Sequence, residues 1–543
     1  MKRFQARLSV TLRSPFIFPD SEAVIPGIDI VAHRNRAECP LLPRDQLKGV
    51  FRDALAKSLR AGAPGPTVED IFGVASDDGG MRGAYEPKPG LVLFSDAIAV
   101  EGQDLGRVIS HRVEIDAETG AAKEAHLLFV ELVAPRRQAV RFEADIVWFC
   151  RDTSVGDALR RAQSWISAIG AMKSSGFGEV LDIRIGDETV VDLAGLTPQA
   201  PPAERTCYVF GFDRPYLVDA RIAADNVLVG QVTVPGGVIK GALARKLDLA
   251  GVLPGHARAL TDMSISHARP EGAQEVLPLS VVRSAATGEA FDLWQNPDTD
   301  LDDIQFQIDW KHGFADQENR EVRVHTAVTE ETEIAETGNL FVIDAVDPAD
   351  GRYRVEVDYR RVQPESRDLL HAMLMDGLHG IGRTGAIATV QACSAVEPVV
   401  DKLTGTVFAV SLMTDAILAS PVDETEAGAA YQAYWSRVLH PHPVELIEFL
   451  ASQRVVGGYL AKRYRSGAAQ NYRPWCVSNA GSTFLLRGET LGVALSELRK
   501  ARLPAPFFDG SPMTWDTCPF QPENGFGEIS VTAVDLREDP RHG

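Results

Sequence analysis

The sequence predicts an α+β fold of tandem ferredoxin-like (RRM-like) units, on three observations. Hydrophobic patterning over residues 1–190 runs strand, helix, strand, strand, helix, strand, the split βαβ order. The same order returns after a Pro-rich stretch. Blocks repeat between the two halves: LPRDQLKG (42–49) matches VPGGVIKG (234–241) with Pro, Lys and Gly in register, and HRVEIDAETGAAKEAHLLF (111–129) resembles HTAVTEETEIAETGNLF (325–341).

The elements follow in order. Phe4, Ala6, Leu8, Val10 and Leu12 alternate, which predicts a half-buried strand. Residues 44–60 place Leu47, Val50, Phe51, Ala54, Leu55 and Leu59 on one helical stripe. Segments 91–100 and 142–150 predict strands. Residues 154–172 predict a helix, with Ser154 and Asp157 spaced as a capping box. The loop GFG (176–178) leads into a last strand at 179–185. The connection 101–141 is too long for a hairpin loop and predicts an inserted excursion. LTPQAPPAER (196–205) predicts a linker between a first domain (1–195) and a second (206–400). In the second, 207–212, 275–282, 352–359 and 386–392 predict strands. Helices are expected at 234–251 and 366–378, and a glycine loop, GIGRTG, at 380–385. Residues 401–543 begin with a strand pattern and predict a further ferredoxin-like half.

Composition narrows the function. The chain has 543 residues, 45% hydrophobic and 24% charged, which excludes a disordered chain or a coiled coil. Lys+Arg 55 against Asp+Glu 75 gives a net charge of −20, so nucleic-acid contact must use local basic patches. Six isolated cysteines lack CxxC spacing, which argues against a disulfide scaffold or zinc ribbon and fits a reducing cytoplasm. The N-terminus alternates, unlike a signal peptide, and no apolar run reaches about 18 residues, so no membrane partner is expected.

The chemistry-bearing candidates are local. Gly380, Gly382 and Gly385 satisfy G-x-G-x-x-G, but a helix precedes the loop and a strand follows it, the reverse of a dinucleotide fingerprint. No P-loop, HExxH or Ser-His-Asp order is present, and no nucleotide or organic cofactor is expected. Gly176, Gly178 and the 380–385 loop, with Arg383, instead suit close approach of backbone N–H groups to a phosphodiester, or an ordinary helix C-cap turn. Lys48 and Lys240 stand near helix N-termini, where an anion is favoured, and Arg52 shares the Lys48 face. His33 and Arg34 form a basic pair. Lys462, Arg463 and Arg465 alternate with Tyr459, Tyr464 and Tyr472, a pattern suited to stacking on single-stranded bases. Asp29 sits in IPGIDIVAHRNR, as a turn aspartate or as a carboxylate that assists attack of a 2′-hydroxyl on the adjacent phosphate.

The P-x4-K-G turn at Pro43–Gly49, FSDA (94–97), the T-G…LF excursion and the glycine loop before the last strand together resemble the CRISPR-associated RAMP superfamily of ferredoxin-like RNA-binding subunits. Residues 1–190 look like the backbone subunit of type III interference complexes. Gly27-Ile28-Asp29 stands where that family has its target-cleaving aspartate. Pro43-Arg44-Asp45-Gln46-Leu47 departs from the family's commoner P-G-S-S/T-L-K-G. Residues 205–543 look like a type III-D cap subunit that holds the 5′ tag of the guide. The resemblance implies guide (CRISPR) RNA and target RNA as partners, with other RAMP subunits, a large polymerase-like subunit and a small helical subunit. It implies thumb-like excursions and an endoribonuclease whose cleavage uses Asp29, with Mg²⁺ or Mn²⁺ as a divalent metal. A non-catalytic scaffold and a guide-processing endoribonuclease are the alternatives.

Overall fold

The computed structural model describes all residues except 21–24, 36, 75–87, 104, 117, 219–220, 225, 274–275, 296–303, 308–318, 329–334, 350, 398–402, 419–426, 458–473, 506–517 and 536–543. The tyrosine-interleaved basic run at 459–472 lies outside the described residues.

The fold is α+β, and its frame is three antiparallel sheets with the same strand order. Unit one contains β1 (Lys2–Arg13), α1 (Arg44–Arg60), β2 (Val92–Phe94), β3 (Ala97–Ala99), β4 (Val108–Ile115), β5 (Ala122–Leu132), β6 (Ala139–Cys150), α2 (Ser154–Gln163) and β7 (Glu179–Ile185). Here β1 pairs with β6 and β7, and β6 pairs with β2 and β3, so the last, first, third and second strands lie side by side. Leu8, Val10, Ala144, Ile146 and Trp148 face Leu47, Phe51 and Leu55 of α1 and Ala158, Leu159 and Ala162 of α2 in one core. The other face of β6 offers Val147 and Phe149 to the core of unit two.

Unit two contains β8 (Arg205–Phe212), α3 (Gly236–Ala250), β9 (Ser264–Ile265), β10 (Arg269–Pro270), β11 (Arg320–Val328), β12 (Ala335–Val346), β13 (Arg352–Asp358), α4 (Pro364–Met375), β14 (Leu378–Ile381) and β15 (Ala386–Ala395). β8 lies between β13 and β15, and β13 carries β9 and β10 on its far side. Unit three contains β16 (Val407–Leu412), α5 (Ala427–Val438), β17 (Glu445–Leu450), β18 (Thr483–Arg487), α6 (Leu491–Ala501) and β19 (Ile529–Ala533), ordered β17-β18-β16-β19. This is a whole βαββαβ set where the sequence suggested a half.

Three further expectations are corrected. Helix α2 stops at Gln163, short of 172; beyond it the amides of Ile169 and Ala171 donate to Gly178 O and Ile17 O instead of to helix carbonyls, and Gly170 between them has φ +105°. Ser154 does not cap it: Thr153 is the N-cap and makes no capping bond. Residues 275–282 do not supply the second strand of unit two, which is β9–β10; Val281–Ser284 pairs in a separate small sheet.

The excursion of unit one is a hairpin, β4–β5, that pairs His111 with Phe129. The corresponding hairpin of unit two, β11–β12, pairs His325 with Phe341, so the repeat seen in sequence has the same cross-strand register in both units.

Candidate nucleic-acid interface

Asp29 is exposed and lies at the foot of the unit-one hairpin. Phe129 N–H donates to its Oδ2 at 2.7 Å, while Asp29 N–H donates to Phe129 O at 3.0 Å, so residue and strand hold each other in both directions. Next to it, Ile30 packs with Ile17, Val130, Leu132 and Phe177 in a small core. Phe177 is the middle residue of GFG, and Arg112 of β4 stacks on its ring at 5.3 Å. The structure therefore gathers Asp29, the hairpin and the first glycine loop at one place. Exposed Ile109, Val113, Ile115 and Leu127 line the hairpin above it.

His33 and Arg34 are in the same loop but face inward. The His33 ring lies 3.9 Å from Asp20 Oδ2. Arg34 is bonded at 2.9 Å to Glu131, whose side chain is fully buried and also accepts from Ala32 N–H. Removing a charge to the interior is offset only by such pairing, so Arg34 serves here to tie the loop to β5.

The glycine loops are close-packing devices. Gly178 has φ +74°, and a Cβ there would sit 1.9 Å from Ile169 O; its N–H donates to Pro15 O. Gly176 N–H donates to Lys173 O. Gly380–Gly385 is not a loop between helix and strand: β14 intervenes, and Gly382–Gly385 forms the turn of the β14–β15 hairpin. A Cβ on Gly382 would lie 2.5 Å from Leu217 O, the oxygen that accepts Arg383 N–H at 3.0 Å. The amides of Gly176, Gly178, Arg383 and Gly385 are thus bonded inside the protein.

The helix-one turns are also occupied from within. Asp96, the aspartate of FSDA, accepts Arg44 N–H at 2.7 Å at the start of α1 and the Arg44 guanidinium at 2.9 Å. Arg323, from the unit-two hairpin, reaches the same carboxylate at 3.1 Å. Burial alone would raise the Asp96 carboxyl, but Arg44 and Arg323 outweigh it and hold it well below the usual carboxylate range. The anion favoured at this helix end is a side chain of the protein. Lys48 and Arg52 lie further along α1 on its exposed face. Lys240, by contrast, is half-buried toward unit three, and burial pushes its pKa down to about 7 against the opposing pull of Glu523. The start of α3 is covered by His267, which accepts Gly236 N–H at 3.1 Å and is kept neutral by burial, with Arg269 and Arg502 nearby; its pKa falls to about 3.

Sequence reading missed one signal. SPFIF (14–18), RPYLV (214–218) and TDAIL (414–418) each follow the first strand of a unit, and the last three residues of each are buried. That triplet marks the third unit as plainly as the first two.

No group of three or more His, Cys, Asp or Glu with metal-binding geometry occurs among the described residues. Among the described residues no such group includes Asp29. Among the described residues, no helix is long and apolar enough to cross a membrane.

Residues 10–180, most of unit one, match the RAMP superfamily. No curated protein matches the chain. Among solved structures, a chain in the cryo-EM structure of the type III-B Cmr-beta complex bound to cognate target RNA is similar at 16% identity, with a TM-score of 0.25; the match covers 34% of this chain and 60% of that one. The present chain thus spans less than two thirds of that relative.

Proposed function

We propose that the chain is an RNA-binding subunit of a CRISPR type III effector complex, and that its first unit cleaves target RNA paired to the guide. The observation that carries the reading is the RAMP match over 10–180, together with exposed Asp29 at the base of a hairpin that bears exposed apolar side chains. Those side chains suit contact with unstacked bases. Guide pairing reads the target sequence, while the protein holds backbone and shape. Lys48 and Arg52 offer charge to phosphates.

In the proposed reaction the free oxygen of the Asp29 carboxylate accepts the proton of a target 2′-hydroxyl. The deprotonated 2′-oxygen attacks the adjacent phosphorus, the bond to the 5′-oxygen breaks and that oxygen takes a proton from water, giving a 2′,3′-cyclic phosphate and a 5′-hydroxyl. Holding the nucleotide with attacking and leaving oxygens in line supplies much of the acceleration, because the nucleophile belongs to the substrate. No step is routed through a metal ion.

A scaffold without cleavage is the second reading, favoured by one fact: Asp29 already pins Phe129. Two variants separate the readings. Asp29→Asn retains an acceptor for Phe129 N–H but is no base. If Asp29 is catalytic, Asp29→Asn binds guide and target normally and loses cleavage by about 10²-fold or more. A pinning role alone predicts that Asp29→Asn cuts like wild type and only Asp29→Ala is impaired. A wild-type complex that binds matched target in Mg²⁺ or Mn²⁺ without cutting it supports the scaffold.

A further inference from the structure

The hairpin of unit one has two unlike faces. Val108, Leu128, Val130 and Leu132 pack inward with Ile17 and Phe177. Alternation along β4 and β5 puts the residues between them on the outer face. There His111 stands directly opposite Phe129, and His111, Ile109, Val113 and Leu127 are all exposed.

Asp29 joins this face from the far side of β5. Ile30 bridges Val130 and packs into the inner core, so Asp29, one residue earlier, falls on the outer side. Its carboxylate accepts the Phe129 N–H at 2.7 Å. Asp29, Phe129 and His111 therefore form a row across three adjacent strands, with Phe129 in the middle. Two strand spacings, about 10 Å, separate the backbones of Asp29 and His111. A ribose and its phosphate lying over Phe129 would have the carboxylate on one side and the imidazole on the other.

We infer that His111 is the catalytic acid of the cleavage proposed above; the step rests on Asp29 being the base. As the 2′-oxygen attacks, the bond from phosphorus to the 5′-oxygen breaks and its electron pair stays on that oxygen. Protonated His111 gives the oxygen a proton, so that it leaves as a hydroxyl, and the imidazole regains a proton from water. Departure as an alkoxide is the costly alternative, and imidazole is the side chain best suited to hand over a proton near neutral pH. The exposed neighbours on this face, Ile109, Val113 and Leu127, have no proton to give. Arg112 is turned inward onto the Phe177 ring, and the His33 ring lies 3.9 Å from Asp20.

The test uses the complete guide-loaded complex and two matched target RNAs, one of them carrying sulfur in place of the 5′-oxygen at the mapped cut. A thiolate leaves readily without a proton. His111→Asn should bind target like wild type, cut the all-oxygen RNA about 10²-fold more slowly, and return to within a few-fold of wild type on the sulfur RNA. Asp29→Asn should stay slow on both. His325→Asn, the same change opposite Phe341 in unit two, should leave the cut unaltered. The ratio of rates on the two RNAs is read within one preparation, so it does not depend on how much of a variant folds. His111→Asn that cuts the all-oxygen RNA normally, or that is slowed equally on both RNAs as loss of a mere RNA contact would do, overturns the acid and leaves Asp29 as the base. Asp29→Asn that cuts normally, or a wild type that never cuts, overturns both.

Discussion

Arg323 and Asp96 show how a single carboxylate joins two units. Asp96 caps α1, pairs with Arg44 and receives Arg323 from another unit, all nearly buried. Removing one partner of a buried pair costs about 3–5 kcal/mol, mostly because the other is left uncompensated. Arg323→Ala should lower the denaturant midpoint accordingly. The folded-state pKa of Asp96 is depressed, so its contribution is present above the unfolded value near pH 4 and is lost as pH falls below it. Asp96→Asn should therefore flatten the acid limb of a stability–pH curve. Lys240 moves stability in the same direction with pH, in a higher window. Its pKa is lowered to about 7 on folding, so between there and the unfolded value near 10 the unfolded chain holds more protons. Stability from this residue rises with pH across that window. Lys240→Met should remove that rise and raise the thermal midpoint at neutral pH.

At the scale of elements, each glycine loop packs closely on the segment that follows its unit's first strand: Gly178 N–H donates to Pro15 O, and Gly382 lies against Leu217 O. Gly178 combines positive φ with a Cβ position 1.9 Å from Ile169 O, whereas Gly176, at φ +79°, has open space around its Cβ position. Gly178→Ala should cost about 1–3 kcal/mol or more from strain and displacement, and Gly176→Ala only about 1 kcal/mol from backbone conformation; thermal unfolding of the two variants measures the contrast. This explains what was legible in the sequence. Periodicity found β1, α1, β6 and β7, because one face of each lies in a continuous core. The hairpin repeat was legible because the same His–Phe register is needed twice. Strand two of unit two was not, since β9 and β10 are two-residue segments too short to carry alternation. Asp29 and the GFG loop were singled out from sequence, but their meeting through Phe129 and Phe177 was not visible, because it joins segments about 100 and 150 residues apart in the chain. Arg34 and Lys240 were read as surface cations; their acidic neighbours, Glu131 and Glu523, lie 97 and 283 residues away in sequence.

For the whole molecule, the net charge of −20 sets a sharp condition on RNA binding. A polyanion is repelled by an acidic surface, so attraction must come from local groups of exposed cations. Lys48 and Arg52 meet that condition on α1. Lys240 does not, since it faces unit three and loses its charge as pH rises through about 7. Each phosphate contact on a single strand displaces counterions and steepens the fall of log affinity with log salt by roughly 0.7. Lys48→Ala should therefore reduce the slope for guide binding by about that amount, together with the affinity at low salt. Lys240→Met should leave the slope unchanged while altering stability. The two effects are read in different experiments, fluorescence anisotropy against salt and thermal unfolding, so a folding defect is not mistaken for a lost contact. A slope that Lys48→Ala does not change would remove α1 from the RNA path and leave the base of the unit-one hairpin, with Arg112 and Lys173, as the cationic surface to examine.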